Sequence, residues 1–475
     1  MRPNILLVVF DTARLDAFEP YGAPSQSTPT VAQLASTGSA HAATYSTGCW
    51  TVPGHGSMFT GLLPRSAGLG HVGMTRFREF PATLEAQRPR LLAEVFTRSG
   101  YETAGISSNA WISERTGFST GFERWTQIVG HRAPGIRAQG LRDRAAWYLQ
   151  ALRARHDDGA REVEALLDDW LRTRHERRPF LWFVNLMECH SPYLPPKPYN
   201  RLSAPRRVQA AREAAQHLTV ENIWRCTCGG FDVPQPAIRR MRDLYADSIR
   251  QLDAWLARVL DLLERHGVLE ETQVVVTSDH GENLGEGERM GHAFSLDDNL
   301  IRVPLVTAGP CRPTVDSTFS LTNVPRLLAD VAGLDDHPWH EAPGPDRVAV
   351  AQFDAPGESH EEKVTELVDR WGLGNEAARN LSTSFTCATD GQLKLLRRLG
   401  QEELIDLDAD PHELAPRVVT AAVENRHRIA LAPLRAALDA AETAERRGTT
   451  ELAAPETDAA ETAKIEQQLR LLGYL

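Results

Sequence analysis

Four residues at three widely separated places in the sequence have the side chains that a metal-assisted nucleophilic reaction requires. Asp11, Thr51, Asp279 and His280 provide two carboxylates, one hydroxyl and one imidazole. Carboxylates and imidazole suit a divalent cation of borderline hardness, and a bound cation lowers the pKa of a nearby hydroxyl so that it can act as a nucleophile. Taken singly, such residues at strand ends are more often helix caps. A catalytic site is favoured only if the fold brings all four side chains together.

The hydroxyl belongs to the stretch CWTVPGHGSMFTG, residues 49–61, which contains two candidate nucleophiles. Cys49 and Thr51 lie two positions apart, in front of a Pro-Gly pair that is typical of a turn. A thiol and a hydroxyl can both form covalent intermediates. The residue types alone leave the choice between them open.

Four apolar stretches, ILLVVF, TAGISS, PFLWFVNL and QVVVT, end in polar clusters. The polar residues that follow them include Asp11, Asn109, His190 and Asp279. Such stretches are typical of buried parallel strands, and helical patterns separate them, including a long amphipathic helix predicted from Ile238 to His266. This alternation predicts a doubly wound α/β sheet with one composite site at the carboxyl edge of its strands.

The pattern divides the chain into two parts. Residues 1–355 are predicted to form the catalytic domain, with insertions at about 130–178 and 197–236. Residues 356–475 contain short segments such as ATDGQLKLLRR and EELIDLDADPHE, which predict a small antiparallel α+β subdomain. The chain ends in a predicted helix, KIEQQLRLLGYL.

The net charge and the cysteine spacing limit the partners and the cell compartment that we expect for the protein. The 475 residues have a formal net charge of -11, which disfavours nonspecific binding to nucleic acid or to an anionic membrane surface. The apolar run Ile5–Phe10 is too short for a signal sequence or a membrane span. Six cysteines without a framework spacing are typical of reduced thiols. We expect a cytoplasmic enzyme with no nucleic-acid or membrane partner. The sequence does not decide whether the protein is a monomer or a homo-oligomer.

The motifs, in their order, resemble the sulfatase family of the alkaline phosphatase superfamily over essentially the whole chain. PNILLVVFDTARLD resembles its first metal strand, TVPGHGSMFTGLLP its nucleophile turn, NLMECHSPYLPP a substrate-histidine loop and VVVTSDHGENLGEG its second metal loop. ELIDLDADPHE and LRLLGYL resemble its C-terminal subdomain. The resemblance implies an alkaline-phosphatase-like, doubly wound mixed sheet flanked by helices, with a small C-terminal α+β subdomain.

The resemblance also assigns the nucleophile. The sulfatase motif begins with Cys or Ser, has Pro two residues later and ends in Thr-Gly. With Pro53 on the motif proline and Thr60-Gly61 at its end, Thr51 takes the nucleophile position. Cys49 has no proline two residues on, so the enzyme that oxidises the motif cysteine to formylglycine is not expected to accept it.

Departures from the sulfatase pattern favour a phosphoryl or phosphonyl substrate. A formylglycine hydrate releases sulfate by hemiacetal breakdown, which threonine cannot do, whereas phosphothreonine can be released by attack at phosphorus. His55 replaces the signature arginine, Thr12 replaces the second of the paired metal aspartates, and His292 stands where a lysine is expected. The lysines of the chain lie outside the motifs and are Lys197, Lys363, Lys394 and Lys464.

The resemblance implies one divalent metal ion. Asp11, Asp279 and His280 are expected to bind it, with Thr51 Oγ as a further ligand at a helix N-terminus that favours a phosphoryl anion. A histidine ligand favours Mn²⁺ or Zn²⁺, with Ca²⁺ or Mg²⁺ as alternatives. His55 is expected either to orient Thr51 or to take its proton.

The remaining candidates are expected to act on the substrate, a small-molecule anionic ester. His190 and His292 are predicted to contact its oxygens and to protonate the leaving group. Arg14 is either an anion clamp or the structural partner of Asp16. Asn109 is predicted to reach the site from the second strand end.

Four functions compete for this inventory. The first is a metal-dependent hydrolase of phosphate diesters or phosphonate esters that forms a covalent phosphothreonine. The second is a soluble phosphoryl-group transferase with an alcohol acceptor. The third is a sulfatase-like hydrolase of sulfate or sulfamate esters, and the fourth is a catalytically silent scaffold that binds anions. The intact set of metal ligands and hydroxyl argues against the fourth.

Overall fold

A computed structural model gives the fold of the chain. The described residues are 2–70, 79–128, 140–155, 157–174, 178–313, 315, 317–340, 347–355, 361–374, 379 and 381–448. The predicted terminal helix, Lys464 and part of the insertion at 130–178 lie outside them.

Strands and helices alternate along most of the described chain. The strands are β1 (Asn4–Phe10), β2 (Ser39–His41), β3 (Thr44–Tyr45), β4 (Glu102–Ser107), β5 (Arg124–Gln127), β6 (Phe180–Leu186), β7 (Thr272–Thr277), β8 (Asn283–Leu284), β9 (Met290–Gly291), β10 (Leu305–Ala308), β11 (Phe319–Ser320), β12 (Ala349–Phe353), β13 (Phe385–Thr389), β14 (Leu393–Arg398), β15 (Gln401–Asp406) and β16 (Arg417–Val418). The helices are α1 (Pro29–Thr37), α2 (Thr51–Thr60), α3 (Phe80–Ala86), α4 (Leu92–Arg98), α5 (Leu141–Arg153), α6 (Ala160–Thr173), α7 (Ala204–His217), α8 (Val220–Thr227), α9 (Gln235–Arg265), α10 (Asp298–Ile301), α11 (Val324–Ala332), α12 (Glu361–Arg370) and α13 (Ala421–Gly448).

A seven-stranded mixed sheet with the order β2-β10-β7-β1-β6-β4-β5 forms the centre of the fold. Strands β7, β1, β6, β4 and β5 are parallel, and β10 runs antiparallel to β7 and β2. Strand β1 is buried throughout, with Ile5, Leu7 and Val9 in one core and the intervening residues in the other. The predicted doubly wound α/β fold is confirmed.

Helices cover both faces of this sheet. Helices α2, α4 and α11 contribute to the core on one face, and α1, α6, α7 and α9 to the core on the other. The predicted amphipathic helix is α9, which ends before Gly267, a glycine whose φ of 70° is left-handed. Although α9 has 31 residues, the described part of the chain contains no helix long and apolar enough to cross a membrane.

A second sheet follows, with the antiparallel order β12-β13-β14-β15-β16, and α13 packs against it. Strand β12 at Ala349–Phe353 pairs with β13 and so belongs to the second sheet, although it lies on the catalytic-domain side of the predicted division after residue 355. AVAQF, an apolar run, has the same pattern in either sheet.

Lys394 links the second sheet to the catalytic domain. Its ammonium group lies 2.8 Å from both carboxylate oxygens of Glu413 and 2.7 Å from Asp298 Oδ1, and it donates to the carbonyl oxygen of Leu296 at 2.9 Å. The side chains of Lys394 and Glu413 are 1% and 3% exposed. Asp298 is the first residue of α10. Its contact with Lys394 therefore holds the start of α10, where the segment after β9 ends, against the second sheet.

Replacing Lys394 with methionine is expected to lower the free energy of unfolding by about 3 kcal/mol, because Glu413 is left as a buried charge without its partner. Lys197 is exposed, so Lys197→Met is the matched control and is expected to change stability by less than ~0.5 kcal/mol. Urea denaturation of both variants measures the difference. Equal midpoints for the two variants would contradict a structural role for Lys394.

Candidate active site

The carboxyl ends of β1 and β7 bring two predicted metal ligands together. Because these strands pair in parallel, Asp11 directly after β1 lies beside Asp279, two residues past β7. The first turn of α2 faces the same point. A Cβ atom on Gly54 would collide with the carbonyl oxygen of Asp279, so only glycine allows this approach. The approach brings the N-terminus of α2, and with it Thr51, to the carboxyl ends of β1 and β7.

Asp11, Asp279 and His280 form a buried cluster whose potential ligand atoms all lie within 4.8 Å of one another. His280 Nε2 is 3.9 Å from Asp11 Oδ1 and 3.5 Å from Asp279 Oδ2. His280 Nδ1 donates to the carbonyl oxygen of Gly281 at 2.9 Å, which leaves Nε2 free of a proton and directed at the carboxylates. This tautomer is the one that a metal ligand requires.

The cluster has the properties of a divalent cation site. Asp11 Oδ1 and Asp279 Oδ2 are buried and have no hydrogen-bond partner among the described residues. Burial and the charge of Asp279 raise the pKa of Asp11 to about 7, and burial lowers the pKa of His280 to about 4. Two buried carboxylates beside a neutral imidazole carry an excess of negative charge. The residues therefore fit a divalent metal ion.

Thr51 is the first residue of α2, and its hydroxyl faces this cluster. Thr51 Oγ1 lies 3.5 Å from His280 Nε2 and is fully buried. The partial positive charge of the helix N-terminus acts at the same place. Cys49 belongs to the hydrophobic core, where burial raises the pKa of its thiol to about 12. A thiol with that pKa is almost entirely protonated at neutral pH and unreactive.

Asn109 lies beside the cluster, just past the end of β4. Its Oδ1 accepts a hydrogen bond from the amide of Trp111 at 2.9 Å, which fixes the orientation of the side chain. Its Nδ2 donates to Asp11 Oδ2 at 2.7 Å and lies 3.3 Å from Thr51 Oγ1. Asn109 therefore holds a carboxylate and the hydroxyl in one arrangement.

His55 lies under the site, one helical turn past Thr51. Its Nδ1 donates to the main-chain carbonyl of Thr51 at 3.0 Å and is 3.3 Å from Asp279 Oδ2. Phe59, Phe118 and Phe183 surround the ring. This geometry suits the orienting role, because Nδ1 holds the main chain of Thr51.

The rings of His190 and His292 lie next to each other, and that of His292 is close to His280. The ring of His292 is 4.6 Å from that of His280 and 5.0 Å from that of His190. His292 Nδ1 lies 3.0 Å from Glu282 Oε1. Burial acts to lower the pKa of His292, but the carboxylate of Glu282 outweighs it, and the pKa is raised. Sequence reasoning missed Glu282, although it stands two residues after His280 in the motif SDHGE.

Arg14 pairs with Asp16, which is the structural one of the two roles predicted for it. Its guanidinium donates to both carboxylate oxygens of Asp16 at 2.8 and 2.7 Å. It also donates to Glu286 Oε1 at 2.8 Å, the carbonyl oxygen of Glu282 at 3.1 Å and Asn299 Oδ1 at 3.2 Å. All three nitrogens are therefore occupied by protein acceptors.

Fold and site together define a hydrolase of the alkaline phosphatase superfamily. The model of the family described as Sulfatase matches residues 3–323, and the chain belongs to this family. The family resemblance of the sequence motifs is thereby confirmed.

Two curated relatives match most of the chain, and solved structures match its fold. It is 25% identical over 456 residues to a choline-sulfatase of Rhizobium meliloti (strain 1021), covering 87% of this chain and 82% of that protein. It is 22% identical over 460 residues to an arylsulfatase of Clostridium perfringens (strain 13 / Type A), covering 87% and 90%. The crystal structure of a phosphonate monoester hydrolase of Agrobacterium radiobacter is similar in fold, with a TM-score of 0.64, 18% identity and coverage of 94% and 96%.

Proposed function

We propose that the protein is a metal-dependent hydrolase of phosphate diesters or phosphonate esters that forms a covalent phosphothreonine at Thr51. The observation that carries this proposal is a threonine hydroxyl at the nucleophile position, 3.5 Å from His280 Nε2 in the metal-ligand cluster. Threonine cannot become the aldehyde hydrate through which sulfatases of the family release sulfate. A phosphoryl or phosphonyl group on threonine can be released by water.

Asp11, Asp279 and His280 would hold the metal ion. When bound, the ion supplies Lewis-acid chemistry, lowering the pKa of the Thr51 hydroxyl and neutralising negative charge. Asn109 Nδ2, which already donates to Asp11, is placed to donate to the same hydroxyl oxygen or to a substrate oxygen. The N-terminus of α2 favours an anion at this point.

The reaction proceeds by two displacements at phosphorus. Thr51 Oγ gives its proton to water and attacks phosphorus, the bond to the ester oxygen breaks, and that oxygen takes a proton from His292. Water then attacks the phosphothreonine, giving a proton back to His292, and the bond between phosphorus and Oγ breaks. Thr51 regains its proton from water, so the net reaction is hydrolysis.

Hydrolysis of sulfate or sulfamate esters is the second candidate, because the relatives named above include a choline-sulfatase and an arylsulfatase. Against it stands the shortage of lysine near the site among the residues whose side chains the structure describes. Lys394 is held by Glu413 and Asp298, and Lys197 is exposed on a loop. A soluble transferase shares the covalent step and differs in the acceptor alone. A small anionic ester as substrate and a cytoplasmic location belong to the same proposal.

The test is a comparison of kcat/KM for p-nitrophenyl esters on metal-stripped protein refilled with Mn²⁺ or Zn²⁺. The panel contains a phosphodiester, a phosphonate monoester and a sulfate ester, and candidate alcohols are added to detect transfer products. The proposal expects the phosphodiester or the phosphonate to be turned over most efficiently, with water as acceptor. A preference for the sulfate ester would support the second candidate instead.

A further inference from the structure

Glu282 is a buried carboxylate that the mechanism above leaves without a role. It is 0% exposed, and its Oε1 lies 3.0 Å from His292 Nδ1. Its Oε2 has no hydrogen-bond partner among the described residues. Burying a carboxylate is unfavourable unless a partner group is paired with it. Here the partner is His292.

The backbone of Glu282 is fixed independently of that contact. Its amide donates to the carbonyl oxygen of Asn299 at 3.1 Å, and its own carbonyl oxygen accepts from Arg14 at 3.1 Å. The preceding Gly281 lies so close to Asn299 that a Cβ atom there would collide with the Asn299 carbonyl oxygen. The carboxylate therefore starts from a rigid main chain and can hold an imidazole in one orientation.

Arg14 does not account for the carboxylate. The guanidinium contacts the main-chain carbonyl oxygen of Glu282, while its charge is matched by Asp16 and Glu286. Removal of the Glu282 side chain leaves all of these bonds in place. The carboxylate contacts His292, and the buried side chain of Tyr193 also interacts with it. Neither contact involves Arg14.

We propose that Glu282 is a positioning residue for His292. Its carboxylate accepts a hydrogen bond from the Nδ1–H group of His292, which leaves Nε2 as the nitrogen that faces the ester. The ring of His292, between those of His280 and His190, then presents Nε2 to the leaving oxygen. A carboxylate that accepts from one imidazole nitrogen fixes the tautomer and the direction of the other. This inference rests on one step of the proposed function, in which His292 gives a proton to the leaving oxygen.

A double-mutant cycle tests the inference. Glu282→Ala, His292→Ala and the double variant are compared on phenyl and p-nitrophenyl esters of whichever class the enzyme turns over fastest. For the poor phenol leaving group we expect Glu282→Ala to lower kcat on the order of 10²-fold, and for p-nitrophenol by less than about fivefold, since a good leaving group needs little protonation. The double variant is expected to be no slower than His292→Ala.

Glu286→Gln is the matched control, an acid of the same loop that pairs with Arg14 and does not contact His292. It is expected to leave the difference between the two leaving groups unchanged. Thermal melting shows whether each variant is folded. If Glu282→Ala does not fold, the same cycle is run with Glu282→Gln, whose amide oxygen can still accept from Nδ1, and a smaller loss that vanishes in the His292→Ala background is expected.

Losses that add in the double variant, or that are equal for both leaving groups, overturn the positioning role. Failure of the proposed function looks different. If the ester turned over fastest is a sulfate, the cycle is still measurable on sulfate esters. If His292→Ala itself shows no dependence on the leaving group, the role of His292 is wrong, and the positioning role of Glu282 is wrong with it.

Discussion

Replacing Thr51 with alanine is expected to lower kcat/KM for the best ester substrate on the order of 10⁵-fold, the scale of loss when a covalent nucleophile is removed. The hydroxyl of Thr51 lies 3.5 Å from His280 Nε2 in the metal-ligand cluster, and alanine keeps the helical backbone that α2 needs. The fold should therefore survive, and the loss is measured on a folded protein.

Two further substitutions make that result interpretable. Thr51→Ser keeps a hydroxyl and is expected to retain most of the activity. Cys49→Ala removes the neighbouring thiol, which is buried in the core and is expected to affect activity little. Steady-state kinetics of the three variants side by side decide the matter. Activity that survives Thr51→Ala and disappears with Cys49→Ala would mean that the nucleophile has been placed on the wrong residue.

Removal of the metal, or of one of its ligands, is expected to have an effect of similar size. Asp279→Asn keeps the side-chain volume but removes one negative charge, and we expect kcat to fall roughly 10³-fold or more because metal affinity and nucleophile activation are lost together. A chelator is expected to abolish wild-type activity, and Mn²⁺ or Zn²⁺ to restore it. In Asp279→Asn, addition of metal should restore little.

Stability gives an independent readout of the same site. A ligand that binds only the folded state adds about 2.7 kcal/mol at a concentration 100 times its Kd. Mn²⁺ is therefore expected to raise the melting temperature of the metal-stripped wild type and not that of Asp279→Asn. Asp247→Asn is the matched control, since Asp247 is a buried acid of α9 that pairs with Arg201. An equal rise in Asp279→Asn and Asp247→Asn would place the metal elsewhere.

The sequence predicts the framework well because its signals are local. The alternation of buried strands and amphipathic helices is visible in single segments, such as ILLVVF before Asp11 and the stripe of α9. Parallel strands place their carboxyl ends on one edge, so Asp11, Asn109 and Asp279 converge without further information. Family resemblance then supplies the register that chooses Thr51 over Cys49.

What the sequence could not supply depends on contacts between distant segments. The sequence predicts two roles for Arg14, an anion clamp and a structural partner of Asp16. The local sequence cannot distinguish them, because Glu286 and Asn299, which accept hydrogen bonds from the guanidinium, lie more than 270 residues away. Glu282 reads as a solvated acid in a glycine-rich loop until the fold brings His292 against it. The direction of His55 likewise follows from the packing of its aromatic neighbours.

The central claim is a covalent intermediate on Thr51, and it is tested most directly by acid quenching during turnover followed by peptide mass spectrometry. The metal-loaded enzyme is mixed with a saturating p-nitrophenyl phosphonate or phosphodiester and quenched within the first turnovers. The account predicts a phosphonyl or phosphoryl adduct on the peptide that contains residues 49–61, with fragmentation that locates it on Thr51. An adduct on Cys49, or turnover at full rate with no adduct at any time, would contradict it.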